Sequence, residues 1–251
     1  MTATALSTST LLVVIGITTF ASLIQALTGF GFALLAVPLL SLTLAPKTAV
    51  VLVFLLGSLS SILTALLNRG AVNWVEVRRL SVGSFLAMPF GVILLIGASV
   101  TLLRVILGVA TCAAAFWLMF GQNASQSWAK RPSAPYVMGA VSGILNTSLS
   151  TNGPPIVAYL RARGLGVDSF RSTISTFFVL SSVVGLAMLF VGGAVHHQSL
   201  VLFAWSVGFC FIGWAVGQFS ASRINPAHFT KAVDGLMLLS GLLTLSKVVL
   251  G

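Results

Sequence analysis

The run Asn146-Thr-Ser-Leu-Ser-Thr-Asn-Gly-Pro-Pro155 is the least lipid-like stretch inside an otherwise apolar region. Asn146, Ser150, Thr151 and Asn152 offer hydrogen-bond donors without fixed charge. Gly153 permits close backbone approach, and Pro154 or Pro155 suits the first turn of a helix, where a missing N–H costs nothing. A helix that begins inside a membrane presents unpaired N–H groups and the positive end of its dipole, and such an end favours an anion. A second break, Thr28-Gly-Phe-Gly-Phe-Ala-Leu-Leu-Ala-Val-Pro38, interrupts an earlier apolar run in the same way. There Gly29 and Gly31 free the backbone, while Gln25 and Thr28 are the nearby polar groups.

Two such breaks facing each other would hold a compact oxyanion without burying a full cation, which allows release as well as binding. Phe30 and Phe32 flank the first break and can close the site or contact an organic substituent; packing against lipid or core is the alternative. Arg171 can draw anions to the inner mouth, or serve only as an orientation signal. Gly, Ser and Thr also serve close helix packing in membranes, and for Gly29, Gly31 and Ser148 that alternative stays open.

The elements that must position these residues are membrane helices. The chain has 251 residues, 57% hydrophobic and 6% charged, with a mean hydropathy of +1.09; soluble domains carry roughly 25% charged residues. Its partner is therefore a lipid bilayer. The formal charge of +10 lies mainly in short connections, so no nucleic acid is expected. The uncharged start, Met1 to Thr10, lacks the basic region of a secretory signal, and Leu11 to Leu27 reads as a retained membrane segment.

Apolar segments run over 11–27, 32–44, 48–67, 80–97 and 101–120, then over 136–148, 155–160, 171–191, 200–219 and 229–249. The expected division is a first membrane repeat at 1–121, a cytoplasmic connection at 122–135 and a second, inverted repeat at 136–251. Gly70-Ala-Val72 recurs as Gly193-Ala-Val195, and 102–108 aligns weakly with 229–235. The first two segments of each half are short for full crossings of a core about 30 Å thick, and each pair reads as a broken or re-entrant hairpin.

Charge supports five segments per half. One face then receives Arg69, Arg78, Arg79, Lys130, Arg131, Arg161, Arg163, Arg171, Arg223 and Lys231, and the other only Lys47, Arg104 and Lys247. Both termini face away from the cytoplasm, and an odd number of segments per half makes the second repeat enter upside down. The fold class is an all-α polytopic membrane protein.

Other chemistry has little support in the residues. Glu76 and Asp168 read as loop residues. Asp234 reads as a local pair with Lys231 rather than a proton-coupling group. His196, His197 and His228 lie at segment boundaries, and Cys112 and Cys210 read as free buried thiols with no metal spacing. An intramembrane enzyme would need a nucleophile with its base, paired carboxylates or metal ligands; neither an acidic pair nor HExxH occurs. No enzyme activity, cofactor or metal is expected. A passive anion channel remains an alternative to a carrier, and oligomeric state is not legible.

At Gly29-Phe-Gly-Phe-Ala-Leu-Leu-Ala-Val-Pro38 and Gly153-Pro-Pro-Ile-Val-Ala-Tyr159, with the Phe170-Arg-Ser-Thr173 run beyond, the chain resembles the TauE/SafE (TSUP) family of sulfite and organosulfonate exporters. The resemblance implies movement of sulfite, sulfoacetate or a related sulfur-containing anion across the bacterial inner membrane. Asn146 to Asn152 departs from the more glycine-rich second motif common in that family, which bears on the substrate.

Overall fold

The structure, a computed structural model, describes residues 8–67, 70–120, 126–220, 235 and 238–246. Among them lie the helices α1 (Thr8–Thr28), α2 (Phe32–Leu40), α3 (Pro46–Leu67), α4 (Trp74–Gly97) and α5 (Val100–Phe120). After a 3-10 turn at Gln126–Lys130 come α6 (Ala134–Leu149), α7 (Gly153–Ala162), α8 (Val167–Val191) and α9 (His197–Ser220). Residues 238–246 are helical as well. The proposed Asp234–Lys231 pair, His228, Arg69, Arg223 and Lys247 lie outside the described residues.

Six of these helices are long and apolar enough to cross a membrane: α1, α3, α4, the 100–117 part of α5, α8 and α9. Their outward faces carry large apolar side chains such as Leu86, Phe90 and Ile93 on α4, while Ser and Thr are turned inward. Backbone groups in lipid must be satisfied within the segment, which favours helices. Thr18, Ser58, Thr64, Ser175 and Thr176 return their hydroxyl hydrogens to the carbonyl one turn back. In this way these five hydroxyls sit inside the bundle with their hydrogens satisfied.

The helices pair in a crossed pattern, α4 on α6 and α1 on α9. Both contacts are close because glycine leaves room for the opposing backbone. A Cβ on Gly139 or Gly143 of α6 would strike the carbonyl of Leu80 or Ser84, and one on Gly83 of α4 the carbonyl of Tyr136. Gly213 and Gly217 of α9 meet the carbonyls of Thr19 and Leu23 in the same manner. Small residues at such crossings gain van der Waals contact between backbones.

Helices α1, α4, α8 and α9 start earlier than the sequence reading has them, each because an apolar run marks what lipid surrounds rather than where a helix ends. With 21 residues, α1 extends about 31 Å at ~1.5 Å per residue, so it is not short for a crossing. The other hairpin members are shorter, with 9, 16 and 10 residues in α2, α6 and α7. α4 begins at Trp74, with Asn73 Oδ1 capping the Glu76 N–H at 3.2 Å, and thereby takes Glu76 out of a loop. Asp168 likewise lies in the first turn of α8, and His197 is the first residue of α9.

Basic residues gather at one end of the bundle. The start of α4, the end of α7 and the start of α8 meet there through Glu76, Arg163 and Thr173. At the opposite end Lys47 Nζ donates to the Ile96 carbonyl at 2.6 Å, tying the start of α3 to the end of α4.

Candidate functional site

The first break is built by two glycines and one hydroxyl. Gly29 and Gly31 adopt φ of 84° and 101°, values that an L side chain rarely takes. Thr28 Oγ1 donates to the Ile24 carbonyl at 2.9 Å and reaches the Phe30 carbonyl as well, and the Phe30 N–H donates back to it at 3.3 Å. The chain then restarts as α2, whose first intrahelical bond runs from Leu35 N to Gly31 O. The N–H groups of Phe32, Ala33 and Leu34 are its unpaired first-turn donors.

The second break achieves the same reversal without glycine at the turn. Ser150 takes the left-handed conformation, φ 58°, where glycine is usual. Its N–H donates to the Asn146 carbonyl at 2.8 Å and that of Thr151 to the Leu145 carbonyl at 3.1 Å, closing the end of α6. Ser142 Oγ holds the Asn152 carbonyl at 2.9 Å. Since Pro154 and Pro155 carry no N–H, α7 offers one first-turn amide, that of Gly153, against three from α2. The two helix ends are therefore unequal donors.

The two breaks meet. A Cβ on Gly153 would stand 3.5 Å from the Phe30 ring. Both tips line one cavity near the middle of α3 and α8, which complete its wall with Phe54, Gly57, Ser58 and Ser61 and with Phe178 and Ser182. About 40 Å³ is open to the centre of a water-sized sphere, against the ~10–15 Å³ that one water needs. That is room for a compact oxyanion rather than a bulky one. Eight lining side chains are polar and none is charged: Gln25, Ser58, Ser61, Asn146, Ser150, Thr151, Asn152 and Ser182.

The wall has matched positions in the two halves. Gln25 and Asn146 are both amides, each three residues before its helix ends. Phe54 and Ser58 on α3 repeat as Phe178 and Ser182 on α8, with the same spacing. The amides are not equivalent in bonding. Asn146 Nδ2 donates to the Ser181 carbonyl at 3.4 Å, whereas Gln25 Nε2 donates to Ser61 Oγ at 3.2 Å and its Oε1 is buried without a partner.

Of the residues singled out by sequence, Gln25, Phe30, Gly31, Asn146, Ser150, Thr151, Asn152 and Gly153 line the cavity. Phe32, read first as a flanking group, lines it too. Thr28 and Gly29 shape the break without lining the cavity, Pro154 removes a donor behind it, and Arg171 lies near the start of α8 outside the wall. Ser58, Ser61 and Ser182 were missed, since single serines within apolar helices give no local signal. The repeated Phe-x-x-x-Ser spacing was the one clue that could have found two of them.

A second polar cluster lies at the basic end. Glu76 is 2% exposed, and its carboxylate accepts from Tyr159 Oη at 2.6 Å and Arg163 Nε at 2.9 Å. Trp128 of the connection packs on the Tyr159 ring, with centroids 6.2 Å apart. Thr173 Oγ1 accepts from the Asn73 N–H at 3.0 Å. Hence α4, α7, α8 and the connection are joined below the second break.

Spanning helices that surround a small, uncharged cavity with a polar lining define a multi-pass helical membrane protein. The chain belongs to the TauE/SafE sulfite exporter family, whose model matches residues 14–244. It is similar to a protein of Comamonas testosteroni named "Probable inner membrane transporter protein TsaS", 28% identical over 102 residues. That stretch covers 40% of this chain and 42% of the relative, less than half of either length. No solved structure matches the chain.

Proposed function

We propose that this protein is a secondary transporter for a small sulfur-containing oxyanion, sulfite or a compact sulfonate, in the bacterial inner membrane. The observation that carries this reading is the meeting of both helix breaks at one uncharged, donor-bearing cavity. Unpaired amides of α2 and the Gly153 N–H supply positive potential, and Asn152 and Ser150 add side-chain contacts. Arg171, outside the wall, adds attraction at the inner mouth. The site holds and releases its anion with no covalent chemistry and no cofactor. The sulfur in the assignment comes from the family; the charge and size come from the cavity.

The matched amides, the Phe-x-x-x-Ser pairs and the crossed α4–α6 and α1–α9 packing support two inverted repeats, 1–121 and 136–251, joined by a cytoplasmic connection at 122–135. With the basic end cytoplasmic, both termini face outward. Access alternates as one set of helices rocks against the other around the hairpin tips. The test is uptake of labelled sulfite, sulfate and a small sulfonate into proteoliposomes, with and without the same anion inside. Stimulation by internal anion is expected of a carrier. Fast flux without stimulation makes the protein a channel, and no flux of any of these rejects the sulfur-anion assignment.

A further inference from the structure

We infer that the species held in the cavity is a singly charged oxyanion that still carries a hydrogen, as hydrogensulfite does, and that the corresponding dianion is rejected. This rests on the anion-site reading above and adds the charge and protonation state of the substrate.

The charge follows from the wall. None of the lining residues is Lys, Arg, Asp or Glu. The compensating potential comes from the starts of α2 and α7, at most about half an elementary charge from each helix and less from α7, whose first turn has two prolines. Together they match at most one negative charge. A dianion would keep a second charge uncompensated in a wall that has no cation and includes the rings of Phe30, Phe32, Phe54 and Phe178, where an unpaired charge is costly.

The hydrogen follows from the acceptors. Gln25 is 4% exposed and lines the cavity, and its Oε1 has no donor. Ser58 Oγ gives its hydrogen to the Phe54 carbonyl at 2.6 Å, and Thr151 Oγ1 to the Leu149 carbonyl at 3.1 Å. These hydroxyls therefore have lone pairs, not hydrogens, left for a guest. A buried acceptor left unmatched is penalised, and a fully deprotonated oxyanion has nothing to give it. A substrate with its own hydrogen satisfies Gln25 on one side and takes amide donors from α2 and Gly153 on the other.

The experiment uses the whole protein in liposomes with the same pH on both sides, over a series spanning the second ionisation of sulfurous acid. Labelled sulfite, sulfate and methanesulfonate are compared, and protein-free vesicles correct for leakage. Methanesulfonate is singly charged throughout and lacks the hydrogen, so it separates the two requirements. Sulfite flux is expected to follow the monoanion, falling about tenfold per pH unit on the alkaline side. Sulfate is expected at background and methanesulfonate at a pH-independent rate below that of sulfite in acid. Gln25→Met, which keeps length without the acceptor, is expected to lower sulfite flux in acid about tenfold and to bring the sulfite-to-methanesulfonate ratio toward one. Sulfite flux constant across the series, sulfate carried as fast as sulfite, or a ratio unchanged in a folded Gln25→Met protein would each overturn the inference while leaving the anion site standing. If Gln25→Met does not fold, the pH series and the sulfate comparison on the unsubstituted protein decide. Silence toward all three anions overturns the anion-site reading, and the inference falls with it.

Discussion

Tyr159 donates its phenolic hydrogen to Glu76 across 2.6 Å, joining the last turns of α7 to the first turn of α4. Arg163 reaches the other carboxylate oxygen at 2.9 Å, yet it is 35% exposed while Glu76 is 2% exposed. The two ends of this ion pair are thus unequally dependent on each other. Removing the arginine strands a buried charge, whereas neutralising the glutamate frees a guanidinium that can turn to water.

Arg163→Ala is accordingly expected to destabilise the protein more than Glu76→Gln. Loss of one partner of a fully buried pair costs ~3–5 kcal/mol; with Arg163 partly solvated, about 2 kcal/mol is expected for Arg163→Ala. Glu76→Gln keeps an acceptor for Tyr159 and is expected to cost about 1 kcal/mol. Thermal unfolding in detergent gives the order. Equal midpoints for the two variants would mean that the carboxylate does not depend on Arg163.

Two glycines of the long helices set the width of the cavity. A Cβ on Gly57 would lie 3.2 Å from the Phe32 ring, and one on Gly185 2.7 Å from the ring of Phe54. Gly57→Ala and Gly185→Ala are expected to cut anion flux several-fold while the protein still elutes as a folded species. Gly16→Ala has nothing within 4 Å of the added carbon and serves as control. It is expected to keep full flux and to gain up to about 1 kcal/mol of helix stability. Normal flux through Gly185→Ala would place the substrate path elsewhere.

Asn152 precedes α7 without capping it, since its side chain makes no hydrogen bond to the helix N–H groups. It lines the cavity instead. Asn152→Ala is therefore expected to reduce anion transport about five- to tenfold, the worth of one hydrogen bond near 1 kcal/mol, with little change in unfolding temperature. Transport at the full rate from the folded variant would remove Asn152 from the site.

The breaks were legible in sequence because they violate the rules of their surroundings. Gly29 and Gly31 permit backbone angles that no neighbour tolerates, and Asn146 to Pro155 is polar and helix-breaking where lipid demands neither. The rest of the wall was not legible for a different reason. Ser58 and Ser182 look like any serine in a membrane helix until the fold turns them toward the tips. In sequence Glu76 reads as a loop residue because its partners Tyr159 and Arg163 lie 83 and 87 residues away. Nothing local distinguishes a solvated carboxylate from one that closes a long-range cluster. Likewise α1 and α4 start ahead of their apolar runs, α1 through Thr8–Thr10 and α4 through 74–79, where Glu76, Arg78 and Arg79 interrupt the apolar pattern.

Orientation gives the last prediction. The structure brings Arg78, Arg79, Lys130, Arg131, Arg161 and Arg163 toward one end through the Glu76 cluster and the Trp128–Tyr159 contact, and sets Lys47 beside Ile96 at the other. Basic residues are retained on the cytoplasmic side of inner-membrane proteins, so the 126–133 connection is expected inside and the 41–45 turn outside. Single cysteines at the exposed positions Lys130 and Ala45, in a background with Cys112 and Cys210 replaced by alanine, report this directly. An impermeant maleimide should label Ala45→Cys in intact cells and Lys130→Cys only after permeabilisation. The reverse pattern would invert the protein in the membrane. The cavity would keep its chemistry, but the hairpin α1–α2 would then enter from the cytoplasm and α6–α7 from outside. Labelling of both positions in intact cells would place the two turns on one side and break the five-segment count.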